Sequence, residues 1–266
     1  MLVLMRGAGD IASGVAVRLH RAGARIVMTD LPQPTAIRRT VSFCRALWEE
    51  EAEIEGIRAR RVADAASALE VLTMGDIAVL ADPQLHCLSA LRPDVLVDAV
   101  LAKKNLGTRM GDAPIVVALG PGFTAGGDCH AVVETMRGHD LGRVLFHGSA
   151  LANTGVPGLL GGYAEERILR APADGVWRTA LDIGALVQVG DVVATVADIP
   201  VYTRLSGVVR GLLRDGTPVK AGMKSGDVDP RGQVDYCRTV SDKARAVGGG
   251  VLEAILALKG DWTHGG

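Results

Sequence analysis

The sequence predicts an α/β protein: a Rossmann-like, doubly wound sheet, then a small β module, then a C-terminal helix. Three observations predict it. Residues 2–30 read as strand, glycine turn, helix, strand and terminal acid. Short runs of Val, Ile and Leu unbroken by polar residues, at 76–82, 93–101 and 113–120, suit a parallel sheet covered on both faces. After Gly120 glycine becomes frequent, and strands there are expected to pair as hairpins.

The opening predicts a ligand as well as a fold. Gly7 permits the tight turn out of the first strand, and Gly9, lacking a β-carbon, lets a phosphate approach the backbone. Ala12 or Ser13 is small enough for the helix to lie near the sheet, and the amides through Gly14, with the helix dipole, favour an anion. Asp30 follows about 20 residues on, where an acid accepts hydrogen bonds from ribose hydroxyls. Asp10 opposes this reading: at the helix start its charge repels phosphate, or it caps the helix and fills the anion site itself.

Further elements follow in order. Pro32 and Pro34 mark a loop; 36–48 reads as a helix, 56–62 as a strand and 63–72 as a helix. The run 76–82 is a buried strand, 83–91 a helix, and 93–101 and 113–120 two more strands. Residues 130–135 and 143–147 flank a polar loop and read as an antiparallel pair. Residues 153–158 form a connector. The tail, 237–259, is helical, and Gly248, Gly249 and Gly250 weaken it unless close packing requires them.

Residues 171–231 resemble the biotinyl/lipoyl barrel-sandwich, with pseudo-repeats Val187-x-x-Gly190 and Val219-x-x-Gly222. Carriers of that fold present a modified lysine on the hairpin between the halves; here residues 197–206 contain no lysine, which excludes covalent biotin or lipoate. The expected domains are 1–160, Rossmann-like and nucleotide-binding; 171–232, barrel-sandwich; and 237–260, a terminal helix.

Composition removes several function classes. In 266 residues the formal net charge is −1 and aromatics are 3%, so neither a basic field nor stacking rings exist for nucleic acid. No apolar run reaches the length of a membrane span. Cys44, Cys87, Cys129 and Cys237 form no Cys-x-x-Cys pair, so reduced thiols and a cytoplasmic protein are expected.

Three loops are expected to converge beyond the carboxyl ends of the strands. They are the Gly7–Gly9 turn, the stretch from Asp98 through Lys103 and Asn105, and the stretch from Gly120 through Gly122 and Thr124 to His130. Lys103 or Lys104 neutralises phosphate, Asn105 fixes a ring or ribose, and the last loop presents amides to an anion. The candidate ligand-binding residues are therefore Gly7, Gly9, Asp10, Ser13, Gly14, Asp30, Asp98, Lys103, Asn105, Gly120, Gly122 and Thr124. No catalytic residue and no metal ligand set is assigned. Adjacent Cys129 and His130 point to opposite faces if extended.

The text of 93–108, with Gly120-Pro-Gly-Phe-Thr-Ala-Gly126, residues 130–143 and Asn153-Thr-Gly-Val-Pro-Gly158, resembles the accessory proteins of the selenium-dependent molybdenum hydroxylase system, distantly similar to xanthine dehydrogenase accessory factors. The resemblance implies a role in maturing molybdenum hydroxylases, with an apo-hydroxylase as partner. The chain would bind NAD(P) or another nucleotide, or the molybdenum cofactor itself, and a homo-oligomer is expected. The alternative is an NAD-dependent oxidoreductase, for which His130 or Lys103 would have to donate the proton.

Overall fold

Strand β1 (Leu2–Arg6) is buried along its whole length, as an apolar run at the centre of a sheet must be. A computed structural model describes residues 1–260, which form two compact units: 1–34, 42–154 and the segment from 240 onward; and 35–41 with 155–239.

In the first unit, helix α1 (Asp10–Arg21) leads to β2 (Arg25–Thr29). The short α2 (Ala46–Glu49) precedes the hairpin β3 (Glu51–Ile54) and β4 (Ile57–Val62). Then come α3 (Ala65–Thr73), β5 (Ile77–Leu80), α4 (Leu88–Leu91), β6 (Val95–Asp98), β7 (Ile115–Leu119), β8 (Ala131–Val133) and β9 (Val144–Leu145). They form one nine-stranded sheet in the order β3-β4-β5-β2-β1-β6-β7-β8-β9. Pairing is parallel from β4 through β8, while β3 on β4 and β9 on β8 are antiparallel. The hairpin β8–β9 lies where 130–135 and 143–147 predict it.

The second unit holds β10 (Ile168–Arg170), β11 (Gly175–Val176), β12 (Leu186–Val187), β13 (Val192–Val196), β14 (Ile199–Tyr202), β15 (Gly207–Leu212), β16 (Pro218–Val219) and β17 (Lys224–Asp229). They make a four-stranded sheet, β10-β17-β15-β12, and two ribbons, β11-β16 and β13-β14. Gly190 and Gly222, the pseudo-repeat glycines, are both left-handed, at φ 89° and 79°.

This architecture corrects the expected one. The sheet is mixed rather than a doubly wound parallel one, because hairpins close both of its edges. The chain passes from β6 to β7 and from β7 to β8 without an α-helix. Among the described residues the second unit's strands form three separate sheets and no closed barrel. The terminal helix α5 (Asp242–Lys259) is part of the first unit, packed on α1, rather than a separate appendage.

Two predicted helices also shrink. Of 36–48, only 3-10 turns (Arg39–Val41, Phe43–Arg45) and α2 are helical. Ser42 is extended between the turns; the Phe43 amide bonds the Ser13 hydroxyl and the Cys44 amide bonds the Ala8 carbonyl, so no continuous ladder forms. Of 83–91, only α4 is helical. Leu85 is left-handed at φ 59°, and the Asp82 carboxylate captures the Cys87 amide. Among the described residues no helix is long and apolar enough to cross a membrane.

Candidate functional site

Strands β1, β2, β5, β6 and β7 run parallel, so the loops that follow them leave from one edge of the sheet. β1 has β2 on one side and β6 on the other, the reversal of strand order at which a parallel sheet opens a crevice.

The Gly7–Gly9 turn lies there, and its two glycines have different reasons. Gly7 is left-handed (φ 101°), and a β-carbon on it would sit 2.8 Å from the Ala99 carbonyl oxygen, so close approach to the loop after β6 requires glycine. Gly9 is extended, at φ −71° and ψ −175°, and a β-carbon there would meet nothing within 4 Å. It is the N-cap of α1, whose amino end has no side-chain cap. Asp10 is the first helical residue.

An acid does engage the turn, but it is Asp30. Its Oδ2 accepts the Ala8 amide and its Oδ1 the Leu31 amide, both at 2.8 Å. Burial pushes this carboxyl above its usual range, against the pull of those two amides. Ser13 is buried within the unit: its hydroxyl donates to the Ala8 carbonyl and accepts the Phe43 amide. Gly14 is the contact of α1 with α5, where a β-carbon would come 2.5 Å from that of Ala244.

At the end of β6, Asp98 is buried beside buried Arg6. Arg6 Nη1 donates to the Thr108 hydroxyl at 3.0 Å, which donates to Asp98 Oδ2 at 2.6 Å; the charges themselves are 3.7 Å apart. The other Arg6 donors go to the carbonyls of Pro83 and Leu106. One arginine thus ties the loop after β5 to the loop after β6. Burial raises the Asp98 carboxyl despite the Thr108 hydroxyl, the Val100 amide and the Arg6 charge. Two carboxyls displaced upward at one crevice is a pattern that functional sites produce.

The displacement has a stability consequence. Asp98 binds its proton more tightly folded than unfolded, so its contribution is full below the ordinary value of 3.8 and is lost as pH rises through the raised folded value. Asp98→Asn is expected to remove that fall. Denaturant unfolding of both proteins across acid to neutral pH measures it, and parallel curves would refute it.

Asn105 serves its own loop: its amide donates to the Thr108 carbonyl and to Asp128, and its oxygen accepts the Gly107 and Thr108 amides. Lys103 is exposed and left-handed at φ 63°. Gly122 is needed for contact between loops, since a β-carbon would lie 2.6 Å from the Lys104 backbone; at Gly120 it would meet the Thr135 hydroxyl at 2.5 Å. Thr124 bonds Asp128 through its amide and Ser149 through its hydroxyl. The edge therefore gathers the three predicted loops, while Ser13, Gly14 and Asn105 are engaged in holding the local structure.

Cys129 is no ready nucleophile, because burial pushes its thiol to about 12. His130 Nδ1 is taken by the Val116 amide at 3.0 Å.

Sequence reasoning missed two features at this edge. One is Arg6, hidden inside an apolar strand. The other is Asp82–His86 after β5: Asp82 Oδ1 bonds His86 Nδ1 at 2.9 Å and orients an exposed imidazole. Burial works to raise the Asp82 carboxyl, but the Cys87 and His86 amides outweigh it and hold it low. The available signal was an Asp and a His one helical turn apart just beyond a buried strand.

No protein-family model matches the chain. It is 51% identical over 257 residues, 97% of its length, to "Uncharacterized protein YqeB" of Escherichia coli (strain K12), and covers 48% of that protein. The chain thus spans about half the length of the curated relative it matches. Among solved structures, a succinylglutamate desuccinylase/aspartoacylase from Rhodobacter sphaeroides is 13% identical, with TM-score 0.27 and coverage of 85% of this chain and 84% of that one. An aspartoacylase family protein from Mesorhizobium loti is 11% identical, with TM-score 0.28 and the same coverage. The ectoine utilization protein EutE (DoeB) from Ruegeria pomeroyi is 12% identical, with TM-score 0.25, covering 76% of this chain and 57% of that one. Likeness at that level assigns no activity to this chain.

These findings correct the functional expectations. None of these proteins carries the name of a molybdenum hydroxylase accessory factor or of an NAD-dependent oxidoreductase. The resemblance to the selenium-dependent molybdenum hydroxylase system, the maturation role drawn from it and the oxidoreductase alternative are withdrawn.

Proposed function

We propose that the first unit binds a small phosphorylated ligand of the nucleotide class at the crevice between β1 and β6. The phosphate would rest on the amino end of α1 beside Gly9, with Lys103 supplying positive charge, and Asp30 would accept from sugar hydroxyls. The observation that carries this reading is the contrast between the glycines. Gly7 is explained by packing, whereas Gly9, in a conformation open to any residue, borders empty space at a helix end with no side-chain cap.

The contrast supplies a test in which stability and binding move in opposite directions. Gly9→Asp introduces a favoured N-cap carboxylate and is expected to stabilise the fold slightly, by a few tenths of a kcal/mol. The same carboxylate would occupy the helix-end amides and repel phosphate, so binding is expected to vanish. Calorimetric titration with AMP, ADP, NAD and inorganic phosphate, with melting curves in parallel, reads both effects. Failure of all four probes to bind the parent chain, or equal binding by Gly9→Asp, would overturn the proposal.

A further inference from the structure

We propose that the second unit carries a separate binding site for a small organic anion, with Arg204 as its anchor. A cleft of about 420 Å³ lies between the turn at Gly161, the stretch 204–206 and the end of β17, and Tyr163 and Val189 also line it. That volume is within the range of small-molecule sites.

The walls are fixed by the backbone. Leu160 and Tyr163 exchange amide–carbonyl bonds across a Gly161-Gly162 turn with both residues left-handed. A β-carbon on Gly161 would sit 2.8 Å from the Pro230 ring, so the turn closes onto the residue after β17. Opposite, the Ser206 hydroxyl accepts the Val189 amide and donates to the Gln188 side chain.

The two arginines of the cleft differ in state. Arg231 is engaged: it grips the Asp229 carboxylate with Nε and Nη2, at 2.9 and 2.6 Å, and its guanidinium lies 4.6 Å from the Tyr236 ring centre. Arg204 is held by a neutral group, Nη2 donating to the Glu165 carbonyl, and has no ion pair among the described residues. Its charge is positioned and uncompensated by direct contact, while its remaining donors suit the planar fork of a carboxylate or phosphate. Glu166 is a carboxylate that feels the Arg204 charge. Its carboxyl is held low chiefly by the Glu166 and Ala164 amides, and Arg204 adds the smallest contribution.

The buried charges of the same unit are paired and leave Arg204 to act alone at the cleft. Arg167, Arg210, Asp227 and Asp229 are all buried. Arg167 pairs with Asp227 at 2.6 Å and Arg210 with Asp229 at 3.4 Å. Exposed Tyr163 and Val189 give the ligand an apolar wall. The class this selects is a carboxylate or phosphate on a compact apolar or aromatic body.

Nitrogen-15 NMR titration of the full chain with benzoate, phenyl phosphate and neutral benzamide tests the site. The expected result is saturable shifts at the amides of Gly161, Ser206 and Arg231, with a Kd of about 1 mM or tighter for one or both anions. Arg204→Gln should weaken this about tenfold, the size of a lost charge-assisted bond. Arg178→Gln, a surface arginine outside the cleft, should leave it unchanged. Benzoate or phenyl phosphate alone shifting these amides identifies the source as carboxylate or phosphate. Benzamide binding as well as the anions, binding unchanged in Arg204→Gln, or no saturable shift from either anion would each overturn the proposal.

Discussion

Replacing Arg6 with methionine is expected to lower the free energy of unfolding by about 3–5 kcal/mol, the cost of stranding a buried charge. Asp98 is 2% exposed and loses the one cation that pairs with it among the described residues, while the Pro83 and Leu106 carbonyls and the Thr108 hydroxyl lose donors. Methionine fills much of the volume, so the loss reports charge and hydrogen bonding more than a cavity. The deprived carboxyl should titrate still higher, carrying the fall of stability with pH closer to neutrality. Asp98→Asn in the same chain should recover part of the loss, since no charge is then left behind, and the two substitutions should be non-additive. Denaturant unfolding of the four proteins closes the cycle. A loss under about 1 kcal/mol for Arg6→Met, with additivity, would mean that this pair does not hold the two loops.

The same arginine shows where sequence reasoning stops. β1 was legible because Leu2 to Met5 is apolar and Gly7 ends it, but an arginine at a strand's end reads as a solvent-facing residue. Only the placement of Pro83, Leu106 and Thr108 from distant segments gives it four hydrogen bonds to make, and nothing local encodes that. Asp30 was legible as an acid at the right distance from the glycine turn. That it accepts the Ala8 amide depends on β1 and β2 lying in register, Met5 opposite Met28, which a single sequence does not state.

The glycines divide in the same manner. Gly190 and Gly222 were legible as turns because their left-handed backbone is a local requirement. Gly14 was assigned to a ligand because it falls in the opening motif, yet its reason is Ala244, more than two hundred residues along the chain. The predicted helix at 36–48 failed for a related cause. Ser13 and Ala8 capture the amides of Phe43 and Cys44, and tertiary bonds win over a helical pattern of marginal length. The pseudo-repeat in 171–231 correctly located its turns but overstated closure, because turn spacing fixes hairpins and not which ribbons join.

The three consecutive glycines of α5 carry the other large expected effect, and their local sequence makes them indistinguishable. In a helix interior each would gain about 0.5–1 kcal/mol on replacement by alanine if nothing opposed it. At Gly249 nothing lies within 4 Å of the new β-carbon, so Gly249→Ala is expected to stabilise by that amount. At Gly250 the β-carbon would stand 2.2 Å from the Gly142 carbonyl oxygen and 2.8 Å from a Val133 methyl. Backbone cannot yield as a side chain does, and overpacking of about 1–3 kcal/mol should more than cancel the helical gain. Gly250→Val adds bulk and a β-branched penalty and should be worse still. Gly248 stands between, its β-carbon 3.2 Å from the Gly14 carbonyl and the Arg18 side chain, so alanine there should be close to neutral. The predicted order of melting temperatures is Gly249→Ala, then the parent chain and Gly248→Ala together, then Gly250→Ala, then Gly250→Val. Helical propensity alone predicts that all three alanines stabilise equally. A rise in melting temperature for Gly250→Ala would therefore show that α5 does not press against the Gly142 turn, and would remove the reason for a glycine at that position.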